Sequence, residues 1–311
     1  MSGHDHDHSG HHHAGHHHGP ASYNRAFGAG IALNIGFVLI ESFYGWQAHS
    51  LALLADAGHN LSDVLGLILA WGAIWMSRLR PDDRHTYGWQ RASIMAALIN
   101  ALILLFAMGS MAWEAIHRFS DPALIQGQTV MLVAATGVLV NGVTAWLFVS
   151  GSEGDINIRG AFMHMAGDAL VSLGVVVAGG VYLYTGWTWL DPLLSLVIAA
   201  LVIAGTWSLF SHSLHLAFDG VPHSVELPAV REHLAALPGV SEVHDLHVWA
   251  MGSSETALTA HLVMPSGHPG DVFIAKVVED LHDEFDIDHA TLQIELGDTA
   301  QPCRLATHTP G

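Results

Sequence analysis

The chain has 311 residues, with 10 Lys and Arg against 28 Asp and Glu, a formal charge of −18, 25 His and one Cys. Its hydrophobic fraction is 51%, only 12% of its residues are charged, and mean hydropathy is +0.38. Ten cations are too few to displace phosphate counterions, which excludes a nucleic-acid binder. A disordered acidic chain would lack these apolar residues, and a disulfide-stapled secreted domain needs more than the lone Cys303. What remains is a membrane protein with an acidic soluble part.

Residues 1–20, MSGHDHDHSGHHHAGHHHGP, carry nine His, two acids and no Lys or Arg. So simple a composition cannot form a core. Without a basic start or an apolar run it does not read as a secretory signal either. Its interrupted His runs differ from a purification tag, and it is expected to be a disordered cytoplasmic tail that collects metal. Residues 21–215 then hold six long apolar segments, at about 26–46, 51–77, 92–116, 128–150, 160–184 and 190–212. Each is long enough to cross a ~30 Å hydrocarbon layer at 1.5 Å per residue. Trp187 and Trp189 mark an interface between the last two. With six spans both termini share one side, and that side collects Arg25, Arg78, Arg80, Arg84, Arg91 and Arg159 against Arg118 alone on the other. The positive-inside rule places both ends in the cytoplasm.

The soluble part, residues 216–299, is followed by a short tail at 300–311. From 216 onward the chain holds fifteen acids against Arg231, Lys276 and Arg304. Helical spacing at 224–237 ends at Pro238-Gly239. EVHDLHVWA (242–250) and ETALTAHLVM (255–264) alternate as strands around a turn. Pro269 opens a helix to about Phe285, and ATLQIEL (290–296) gives a third strand. The order αββαβ predicts a ferredoxin-like α+β domain with helices on one face of the sheet. No glycine-rich phosphate loop occurs, which argues against an ATP-driven pump.

Two spans repeat one pattern. His59 and Asp63 lie four residues apart in the second, as do His164 and Asp168 in the fifth. That spacing stacks both side chains on one helix face. Two such helices face to face would offer two imidazoles and two carboxylates, a set suited to a tetrahedral divalent ion, zinc above all. The plain alternative is interhelical hydrogen bonding. It is a costly one, since an intramembrane Asp costs ~2.5–3.5 kcal/mol on insertion scales. Asp56, one turn before His59, is either a supporting partner or proton carrier, or an ordinary satisfied polar group. Asn34, Glu41, Asn100 and Asn141 are candidates for interhelical hydrogen bonds or for the ion path. His117, His212 and His215 near span ends are expected to meet water or headgroups. His223, His233, His268 and His282 are expected to be solvated.

The twin HxxxD spans, the six helices with both ends inside and the αββαβ domain resemble the cation diffusion facilitators, proton-coupled exporters of zinc and related ions. The resemblance covers about residues 22–297 and includes ADAGHNLSD (55–63), DDRHTYGWQRA (82–92), WLDP (189–192) and HDLHVW (244–249). It implies a transport site of His59, Asp63, His164 and Asp168, with zinc as the transported substrate and a regulatory ligand. It implies a second metal site at His244, His261 and Glu295, with His289 as a further ligand, where two copies pair through the C-terminal domain. His247 is expected to pack beside Trp249. In the loop after the second span, Asp82 and His85 match two of three family ligands, but Trp89 takes the third position, so that site reads as incomplete. Protons compete with metal for imidazole near pH 6.5, which fits zinc–proton antiport by alternating access. The short 151–158 connection points to a bacterial inner membrane. A membrane metal sensor without transport is the rival class. An intramembrane metalloprotease would need HExxH, whereas Asn60 follows His59.

Overall fold

The computed structural model describes residues 35–149 and 156–297. The His-rich tail, the start of the first apolar segment and the C-terminal tail lie outside these residues. The membrane part is built from helices α1 (35–47), α2 (Leu51–Ser77), α3 (Ala92–Arg118), α4 (Gly127–Val149), α5 (Ile156–Thr185) and α6 (Leu190–Ala217). Five of them, α2 to α6, are long and apolar enough to cross a membrane. The soluble part follows as α7 (Leu227–Ala235), β1 (Glu242–Ala250), β2 (Thr256–Val263), α8 (Asp271–Phe285) and β3 (His289–Glu295). The last span runs five residues past its expected end, because Ser213 and Leu216 are still buried and keep the helix packed.

Small and aliphatic side chains dominate the bundle core. Ala52, Leu53, Ala55, Leu104, Met108, Val130, Ala134, Val175, Ile198 and Ala199 form one buried cluster that joins α2 through α6. Small residues matter because van der Waals contact, not water exclusion, holds helices together in lipid. At Gly137 on α4 an added Cβ would lie 2.7 Å from Phe37 Cζ and 3.0 Å from Ser172 Oγ. A larger residue there would push the Phe37 ring or the Ser172 hydroxyl aside.

The side of the bundle away from the soluble domain is fastened by one buried carboxylate. Asp191, in the first turn of α6, is 4% exposed. Ser50 Oγ donates to it at 2.5 Å, and so do the backbone N–H groups of Leu51 at 2.9 Å and Ala52 at 3.4 Å. Ser50 is also the N-cap of α2, so Asp191 satisfies donors that the helix start leaves free. Arg118, at the end of α3, lies 3.9 Å from the same carboxylate and donates to the His49 carbonyl.

In the soluble domain β1 and β2 are antiparallel and β2 and β3 parallel, in the order β1-β2-β3. Leu246, Val248, Leu258, Ala260 and Leu262 turn inward against Val230, Leu234, Val277 and Leu281 of the two helices. His247, Thr259 and His261 lie on the opposite, uncovered face. The domain is held to the bundle where Arg91 pairs with Asp219 and Ser253 N–H donates to Ser93 Oγ at 2.9 Å. Ile94, Leu216 and Ala250 close a small apolar contact beside them.

Asp191→Ala strips the acceptor from Ser50 and two backbone donors at a buried position. We expect a loss of about 1–3 kcal/mol, read as a lower melting temperature of the detergent-solubilised protein, with Asp191→Asn recovering part of it. An unchanged melting curve in the alanine variant would show that the fastening contributes nothing.

Candidate metal sites

Helical periodicity places His59 and Asp63 on one face of α2, and His164 and Asp168 on one face of α5. The two faces meet. His164 Nε2 lies 3.0 Å from Asp63 Oδ2, and His59 Nε2 lies 3.4 Å from Asp168 Oδ1. Within each helix the separations are longer, 4.0 Å for His59–Asp63 and 3.7 Å for His164–Asp168. One donor atom from each of the four residues falls within 4.8 Å of all the others. A tetrahedral zinc with bonds of ~2.0–2.1 Å needs ligand atoms about 3.3 Å apart, so the four separations bracket the required edge. The two carboxylates match the ion's double charge.

Exposure across the site is graded. Asp63 and His164, nearer the soluble domain, are 36% and 42% exposed, while Asp168 is 5% exposed. Beyond Asp168 the polar groups are sealed. Asp56 accepts from Ser172 Oγ at 2.8 Å, and Glu41 accepts from Asn60 Nδ2 at 3.3 Å. Asp56, Glu41 and Asn141 are all fully buried. Asn100 serves as a hydrogen-bond partner, accepting from Ser62 Oγ at 3.4 Å. Asn34 lies outside the described residues.

A second cluster sits on the open sheet face. His244 and His261 are directly paired across β1 and β2, and their rings are 5.1 Å apart. Glu295, at the end of β3, lies 3.1 Å from His244 Nε2 and 2.9 Å from His261 Nδ1. These three offer donor atoms within 4.8 Å of one another. His289 is not with them. It pairs with Ala257 at the start of β3, six residues from Glu295, or roughly 20 Å along a strand. Its ring meets Tyr87 edge-on at 5.6 Å.

Asp245 joins the cluster's edge unforeseen. The ladder shifts register between His244 and His247, and Asp245 takes a φ of 52°. That left-handed backbone, which Asp tolerates better than most residues, brings its carboxylate 3.3 Å from His261 Nε2 and 2.9 Å from His247 Nε2. His247 therefore has a carboxylate partner.

The loop between α2 and α3 gathers less. Asp82 Oδ1 accepts from the backbone N–H groups of His85 at 2.6 Å and Arg84 at 2.8 Å. These two bonds, that of His85 first, hold its carboxyl below the ordinary Asp value. His85 Nδ1 is 3.3 Å from the same oxygen, and its ring packs on Trp89 at 4.0 Å. Among the described residues no third donor completes a group there.

Comparison with known proteins places the two parts in one family. The cation efflux transmembrane domain matches residues 29–216, and the cation efflux protein cytoplasmic domain matches residues 222–296. The zinc transporter ZitB of Escherichia coli (strain K12) is 37% identical over 270 residues, covering 86% of this chain and 85% of that protein. The metal cation efflux system protein CzcD of Cupriavidus metallidurans is 33% identical over 306 residues, covering 98% and 92%. The cadmium, cobalt and zinc/H(+)-K(+) antiporter of Bacillus subtilis (strain 168) is 32% identical over 265 residues, covering 84% and 85%. Both domains match in order, and the relatives align over most of their length, so the chain belongs to the cation efflux family as an integral membrane protein of metal cation transport.

Proposed function

We propose that this protein exports zinc from the cytoplasm in exchange for protons, binding the ion between α2 and α5 at His59, Asp63, His164 and Asp168. The observation that carries this reading is the convergence of four donors from two membrane-length helices at 3.0 to 4.0 Å. The relatives' names, which mention zinc, cadmium, cobalt and H(+), support the substrate class.

The chemistry follows from the donors. A neutral imidazole binds metal and a protonated one does not, so proton and zinc compete for His59 and His164. Loading takes place with the site open to the cytoplasm, and a more acidic far side favours release. The exposure gradient supports entry from the side of the soluble domain, since Asp63 and His164 are the accessible ligands and Asp168 is the sealed one. The arginine distribution supports a cytoplasmic position for that side, with the bacterial inner membrane as the setting.

His244, His261 and Glu295 fit a further zinc ion. Two imidazoles and a carboxylate are a common donor set, with the fourth position free for water or another ligand. When bound, such an ion would bridge all three strands at once. The uncovered sheet face that carries these residues is the surface through which we propose two copies pair, with the ion as a regulatory ligand.

Three outcomes test this. In proteoliposomes under a fixed pH gradient, His59→Ala and Asp168→Ala should each abolish zinc-dependent proton movement, and undiminished exchange in either would sink the assignment. His164→Asp changes the set from N2O2 to NO3 and should raise manganese flux relative to zinc, because harder oxygen donors suit manganese better. An unchanged ratio would mean that selectivity is set elsewhere. His261→Ala should lower the zinc dependence of energy transfer between labelled copies in vesicles. Equal zinc dependence in variant and native protein would remove the pairing role.

A further inference from the structure

Where α6 runs into the soluble domain, three imidazoles stack that neither metal site uses. The ring of His223 lies 4.7 Å from that of His212 at 26° and 5.5 Å from that of His215 at 4°. His212 and His215 share a face of α6, three residues apart, and His223 reaches back from the connection to α7. The turn is shaped for this approach. An added Cβ at Gly220 would fall 2.3 Å from the His215 ring, so only glycine lets the chain pass beneath it.

One ring is oriented by the backbone, and another holds a buried nitrogen without a partner. His215 Nε2 lies 2.9 Å from the Val221 carbonyl. A carbonyl can only accept, so Nε2 carries the hydrogen and Nδ1 presents a lone pair. A backbone carbonyl fixing one ring nitrogen is the usual support of a metal-bound imidazole. His212 Nδ1 is buried with no hydrogen-bond partner. His212 and His223 line a cavity of about 460 Å³ whose walls also include Glu255, Asp286 and Asp288 and, among the described residues, no Lys or Arg. A cleft lined by one sign of charge concentrates the opposite sign.

We propose that His212, His215 and His223 form a further divalent-cation site at the joint between the last membrane helix and the soluble domain, suited to zinc and other ions that accept imidazole. The three donors are more open than the other two clusters, and the ring of His223 must rotate to complete the set. Binding there ties the end of α6 to the start of the domain, and the acidic cavity supplies the ion from the cytoplasmic side.

Residue-resolved histidine footprinting tests this in the full chain, because each imidazole is read separately and the His-rich tail does not interfere. Diethyl pyrocarbonate labelling of the protein in nanodiscs, followed by peptide mass spectrometry, should show several-fold less modification of His212, His215 and His223 when zinc is added. His223→Gln should restore labelling of His212 and His215 while His244 and His261 stay protected. In His59→Ala, protection at the joint should persist. Equal labelling of the three with and without zinc overturns the proposal. Protection of His212 and His215 that survives His223→Gln also overturns it, since zinc would then be closing the joint without being bound there. Loss of protection in His59→Ala would assign the effect to the transport site instead. Because the readout is binding at the joint, failure here leaves the transport reading standing, and failure of transport leaves this one standing.

Discussion

A carboxylate enclosed by membrane-length helices must have its charge answered nearby. Asp63 and Asp168 are answered crosswise. The shortest His–Asp separations in the site run between α2 and α5, and those along either helix are longer. The four residues are therefore one electrostatic unit shared by two helices rather than two local pairs. Any motion that separates α2 from α5 leaves both carboxylates poorly compensated, and a divalent ion between them restores the balance.

Everything outward of that unit keeps it single-sided. Ser172 and Asn60 occupy Asp56 and Glu41, and the tight approach at Gly137 leaves no room for a larger side chain between Phe37 and Ser172. Farther out, Asp191 holds the start of α2 to the start of α6. Asp56, Glu41 and Asp191 are thus hydrogen-bonded between helices, whereas the side chain of buried Asn141 has no hydrogen-bond partner. Asp63 and His164 keep partial access on the side of the soluble domain.

The cluster of His59, Asp63, His164 and Asp168 is legible in the sequence because a helix turns a spacing of four into a shared face, whatever the surrounding packing. Membrane helices α2 through α6 were legible for the same kind of reason, since apolar length is a local property. The sequence patterns for β1 and β2 also matched closely, because strict alternation fixes a strand that is buried on one face. What failed to show depended on where two elements meet. His289 and Glu295 lie on one short strand, yet an extended chain carries them to opposite ends of it. Asp245 reaches His261 only because a register shift turns the backbone left-handed, and alternation gives no sign of that. The stacking of His212, His215 and His223 needs the turn over Gly220. The sequence alone puts His212 and His215 among water or headgroups at a span end and leaves His223 solvated.

The arrangement of the helices gives the proposed alternation a mechanical basis. Helix α4 packs chiefly along α5, while α3 packs chiefly along α6 and α2; the contact of α5 with α2 and α6 is slighter. The bundle thus divides into an α4–α5 pair and an α2–α3–α6 group, and the proposed ligands come from one helix of each. The soluble domain is fastened to the second group alone among the contacts that link it, through Arg91, Ser93 and Ile94 of the α3 start and Leu216 and Asp219 at the α6 end. Rocking the α4–α5 pair against that group would carry His164 and Asp168 past His59 and Asp63 without breaking either body. It would change the crosswise separations directly, where the proposed competition between metal and protons takes place. Whatever binds on the soluble domain can bias that motion through α3, the loop before it and α6, so a signal from the sheet would reach the proposed ligands by way of α2 or across the slighter α5–α6 contact.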